Sequence, residues 1–114
     1  MRRVDAKFPE LKLLANCKTK LRKAILLNSD TELVKVIRDC VYNVLKGNVK
    51  LKKGDSEKLN KYKSDLLKFV YERGSIAQKR KFLIQKGGFL PFLIPLAIDT
   101  TARLISFALD KFNK

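Results

Sequence analysis

Directly behind Gly87-Gly88 lie ten consecutive apolar residues, Phe89-Leu-Pro-Phe-Leu-Ile-Pro-Leu-Ala-Ile98. In a chain of net charge +15 this run is the main constraint on the fold, because it must leave water while the charge must stay there. The charge is not shared evenly across the junction. Residues 1–88 hold 23 Lys/Arg against 9 Asp/Glu, a net of +14, whereas residues 89–114 hold 3 against 2, a net of +1. The sequence therefore divides into a basic helical domain, 1–88, and an apolar, amphipathic C-terminal tail, 89–114.

A chain of 114 residues with 46% apolar content has the size and material for one small core. A charge this high implies an anionic partner: nucleic acid, an acidic protein or an anionic membrane. Cys17 and Cys40 are separated by 22 residues, and the chain contains no histidine. A zinc site needs three or four Cys/His ligands, so no metal or other cofactor is expected. Both cysteines read as ordinary reduced residues, and Cys40 follows Leu33 and Ile37 at helical spacing, which places it in the core. The opening Met-Arg-Arg-Val-Asp is not a secretory signal, and an apolar run of 10 residues with two prolines is too short to span a bilayer.

Periodicity predicts short helices from residue 8 to residue 86. Phe8-Pro9-Glu10 opens the first, with Leu11, Leu14 and Ala15 on one side. Thr19 is the candidate cap of a second, which Asn28 closes. Ser29-Asp30-Thr31-Glu32 is a start signal in which either Ser29 or Asp30 caps, Glu32 completing a capping-box pattern from Ser29. The strongest helix follows, with Leu33, Ile37, Cys40, Val41, Val44 and Leu45 at three- and four-residue steps, and Gly47-Asn48 ends it. Asp55-Ser56 starts another, with Leu59, Tyr62, Leu66, Phe69 and Val70 inward and Lys58, Lys61, Lys63 and Lys68 outward. Gly74 stops it, and Ser75 caps the last basic helix, from Ile76 to about Gln85. No strand-like alternation appears. The expected fold is all-α, a small bundle of four or five short helices plus a C-terminal amphipathic helix after the Gly-Gly/Pro break.

In that last segment Ile98, Ala102, Ile105, Leu109 and Phe112 fall on one stripe, with Asp99, Arg103, Ser106 and Asp110 opposite. Two readings stay open: a final core helix, or a detachable helix that meets a membrane or partner through Phe89, Phe92, Ile98, Ile105, Leu109 and Phe112. The glycine pair has two readings as well. It is either extended backbone or an ordinary helix C-cap with Pro91 as the stop.

Nothing in the sequence points to catalysis. Without histidine the usual acid–base pairs and triads are missing, and the carboxylates sit where caps and ion pairs explain them. Gly87-Gly88 is followed by apolar residues rather than Lys-Ser/Thr, so it is not a phosphate loop. The basic residues carry more information. Lys18, Lys20, Arg22 and Lys23 cluster in one short helix, Lys50, Lys52 and Lys53 in one loop, and Lys79, Arg80, Lys81 and Lys86 ahead of the glycine pair. Lysine heavily outnumbers arginine, which favours point contacts with phosphate over the forked reading of bases. Binding by counterion release, steep in salt and indifferent to sequence, is the expectation.

The stretch Lys86-Gly-Gly-Phe-Leu-Pro-Phe-Leu-Ile-Pro-Leu-Ala-Ile98 resembles the C-terminal portion of the adenovirus core protein X precursor family, the precursor of the mu peptide. Gly87, Gly88, Leu90, Pro91, Leu93, Ile94, Pro95 and Leu96 match that pattern in order, over about 28 residues of the 114. Related proteins occur in adenovirus-like viruses and in Polinton/Maverick and adintovirus elements. The resemblance implies a minor virion core protein that condenses double-stranded viral DNA, located in the virion and the host nucleus. It also implies processing by the adenovirus-type cysteine protease after Gly88, at the bond to Phe89, with Gly87 beside Gly88 and Gln85 in the selective position. Gln85 departs from the aliphatic preference there, and a lysine-rich folded front departs from the short arginine-rich mature peptide. The alternative is a membrane-active or capsid-cementing virion protein acting through residues 89–114.

Overall fold

The computed structural model describes residues 7–47 and 51–97. These form five α-helices: α1 Phe8–Asn16, α2 Thr19–Leu27, α3 Thr31–Leu45, α4 Asp55–Tyr71 and α5 Ile76–Lys86. A 3-10 turn, Gly87–Phe89, follows α5 and leads into a further helical stretch, 90–97. No strand occurs among the described residues. The fold is all-α, as the periodicity predicts.

Local chemistry sets the helix ends. Asp30 is the cap of α3: its carboxylate accepts from the Leu33 N–H at 2.8 Å. Ser29 does not take the capping-box role, because its hydroxyl donates to the Leu26 carbonyl and accepts from Arg80 Nε. α2 starts one residue earlier than its threonine suggests, since Lys18 holds the extended N-cap backbone and Thr19 is already helical. Gly54, at φ 96°, makes the left-handed entry to α4, which a side chain would strain. At α5, Ser75 and Gln78 form a reciprocal capping box.

Asp30 does two jobs, because it also pairs with Lys7 at 2.7 Å. Lys7 first, then the Leu33 N–H, hold its carboxyl below the ordinary value of 3.8. A lowered carboxylate contributes stability that is complete above its ordinary value and fades as the pH falls through the depressed one. Asp30→Ala should cost about 1 kcal/mol at neutral pH, as a lost cap does, whereas Asp30→Asn keeps a capping oxygen and should cost less. Chemical denaturation of both variants at neutral and at acid pH checks this; the Asp30→Ala deficit should shrink in acid.

The core is a single cluster. α3 supplies Leu33, Val36, Ile37, Cys40, Val41 and Val44, all at 3% exposure or less. Around it pack Leu11 and Leu14 of α1, Leu26 of α2, Leu66 and Phe69 of α4 and Leu83 of α5. Desolvation pushes the Cys40 thiol up to about 12, so it is an inert core residue, and both cysteines are free thiols.

The apolar run completes the same core. Phe89, Leu90, Leu93 and Ile94 are fully buried and Ala97 is 3% exposed. The change at Gly88 is therefore one of composition. As far as residue 97 it is not a division between packed units. Neither proline stops the chain. Pro91 falls in the first turn after the 3-10 segment, where a missing N–H loses no intrahelical bond. Pro95 is exposed, so its ring takes no place in the core. The stripe from Ile98 to Phe112 lies outside the described residues.

Candidate nucleic-acid interface

Contacts between rings fix how the basic helices lie. Phe69 stacks on Phe82 at 6.0 Å, and Tyr62, earlier in α4, meets Phe89 and Phe92 beyond the end of α5. As α4 is followed backward its partners advance, so α4 and α5 run antiparallel. α2 is also antiparallel to α5: Arg80 Nε reaches Ser29 Oγ at 3.1 Å, and Gly87 sits close to Leu26 and Leu90. The burial of Gly87 follows from that approach, since an added Cβ would lie 3.2 Å from Leu90 Cδ1.

The candidate phosphate ligands do not all face outward. Lys18, Lys20 and Lys23 are exposed around α2, but Arg22, between them, is 9% exposed and belongs to the interior. Lys52 and Lys53 are exposed at the entry to α4, while Lys50 lies outside the described residues. The triplet on α5 separates most clearly. Lys79 donates to the backbone carbonyls of Phe69 and Glu72 and so closes the C-terminal end of α4. Burial, then the nearby Arg38, pushes its ammonium below the ordinary lysine range, with Glu72 opposing. Arg80 is half-buried and held by Ser29. Only Lys81 of the three is exposed, and Lys86 is exposed at the end of α5.

The processing residues are also sorted by the fold. Gln85 and Gly88 are exposed, whereas Gly87 and Phe89 are buried, and the backbone there is turned rather than extended. Among the membrane or partner residues, Phe89 is in the core and Phe92 is half-buried against Tyr62. Ile98, Ile105, Leu109 and Phe112 lie outside the described residues. No helix among the described residues is long and apolar enough to cross a membrane.

α4 adds cations that a search for consecutive basic residues passes over. Lys58, Lys61, Lys63 and Lys68 are exposed on it, and Arg73 is exposed just beyond it. Three of the lysines rest on aromatic rings: Lys58 over Phe92 at 5.8 Å, Lys61 over Tyr62 at 5.9 Å and Lys68 over Phe82 at 6.0 Å. Their three- and seven-residue spacing, one side of a helix, was the available signal. In comparisons with family models, curated proteins and solved structures, nothing matches this chain.

Proposed function

We propose that the chain is a non-enzymatic protein that binds the phosphate backbone of double-stranded DNA without reading its sequence, as a virion core protein would. The carrying observation is the charge: +15 on 114 residues, with Lys18, Lys20, Lys23, Lys52, Lys53, Lys81 and Lys86 all on the outside. A compact domain keeps so much like charge at a cost in self-repulsion, and a polyanion removes that cost. Exposed lysines meet phosphates as point charges and carry no base preference. The burial of Phe89, Leu90, Leu93 and Ile94 weighs against the rival in which these residues meet a membrane or capsid. A cut after Gly88 enters this proposal only as an event that dismantles the fold.

The test compares the full chain on several unrelated duplexes and on vesicles of mixed anionic and neutral lipid. Near-equal affinity for every duplex, above that for the vesicles, is the expected result. Stronger binding to vesicles would transfer the protein to the membrane-active reading.

A further inference from the structure

α4 and α5 lie antiparallel with an aromatic seam between them, Phe69 on Phe82 at one end and Tyr62 with Phe89 and Phe92 at the other. At the first end the seam opens into a groove of about 280 Å³ whose walls include Lys68, Arg73, Lys81 and the amides of Gln78 and Gln85. Glu72 is the acid in that lining. Lys79 is spent on the carbonyls of Phe69 and Glu72, which leaves Lys68, Arg73 and Lys81 as exposed cations converging from two elements.

Toward the other end the row continues through Lys61 and Lys58, each resting on a ring of the seam. A lysine already lying on a ring has fewer conformations to lose when it meets a phosphate. From residue 58 to the end of α4 at Tyr71 a helical rise of 1.5 Å per residue gives a row of about 20 Å, which Arg73 extends, long enough to follow several successive phosphates of one strand. The lysines of α2 offer no such line. Lys18, Lys20 and Lys23 fan around a convex helix, and the intervening Arg22 is buried.

We infer that the α4–α5 seam, through Lys61, Lys68, Arg73 and Lys81, is the track on which one phosphodiester strand of the bound nucleic acid lies. The inference rests on the phosphate-binding reading and names its site. Four lysines or arginines contacting phosphates contribute about four units to the salt slope, and the α2 lysines contribute little.

The experiment uses the full chain and two neutralised variants: Lys61→Gln/Lys68→Gln/Arg73→Gln/Lys81→Gln on the seam and Lys18→Gln/Lys20→Gln/Lys23→Gln on α2. All seven side chains are exposed, so circular dichroism and thermal melting should show both variants folded. Duplex affinity is then measured across a salt series. The seam variant should lose at least about tenfold in affinity at about 0.15 M salt, and its slope should fall by about three to four. The α2 variant should stay within about twofold of the parent. Equal losses, or a larger loss from α2, would overturn the seam while leaving phosphate binding intact. Absence of duplex binding by the parent chain would overturn both.

Discussion

Truncation after Gly88 should abolish cooperative folding. The deletion removes Phe89, Leu90, Leu93, Ile94 and Ala97, which are between 0 and 3% exposed and share one cluster with Leu26, Ile37 and Phe69. Losing a single large buried side chain costs about 2–5 kcal/mol, and a whole small domain has about 5–15 kcal/mol in hand. Removing four such side chains, together with their helix, exceeds that margin. Residues 1–88 should therefore show reduced helical circular dichroism, a broad or absent melt and dye-accessible apolar surface, beside a sharp melt for 1–114. A fragment 1–88 that melts like the whole chain would show that the apolar run does not hold the core together.

A single substitution tests the same packing from the other direction. Phe89→Ala should cost about 3–5 kcal/mol, because its ring is wholly buried and packs against Tyr62 at 6.3 Å. In a domain of this size such a loss lowers Tm by more than about 10 °C. Its neighbour should behave in the opposite way. Gly88 is exposed, lacks a positive φ, and has no atom within 4 Å of an added Cβ. Gly88→Ala should be neutral or stabilising by up to about 1 kcal/mol, through the unfolded chain's lost freedom. Thermal melts of the two variants, side by side, locate the core boundary to one residue. Similar melting temperatures for both would contradict the packing described above.

The contrast between residues 88 and 89 also shows what the sequence conceals. Two glycines and two prolines around an apolar run read as a break, yet Gly87–Phe89 forms a 3-10 turn that carries the helix on. The corrective signal was present in the run itself. Phe89, Leu90, Leu93, Ile94 and Ala97 are spaced as one helical stripe, the spacing that identifies α3 from Leu33 to Val44. α3 and α5 are legible because cap and period agree there, at Asp30 and Ser75, and the other helices from Phe8 to Tyr71 are legible from period without a side-chain cap.

The basic residues show the same effect at the surface. Lys79, Arg80 and Lys81 are consecutive, and a helix turns consecutive residues about 100° apart, so they meet a helix end, a serine and solvent respectively. Conversely, Lys61 and Lys68 are seven residues apart and lie on one side. Tertiary contacts such as Arg80 with Ser29, or Lys79 with the end of α4, depend on which helices become neighbours, and sequence spacing alone does not give that.

On the proposed reading, charge rather than base contacts carries the interaction with DNA. The most direct measurement is the affinity of the full chain for duplex DNA across a series of salt concentrations. A straight fall of log affinity with log salt is predicted, with a slope of roughly −0.9 for each phosphate neutralised and several phosphates engaged. An affinity that barely changes with salt, or no binding at about 0.15 M, would contradict it.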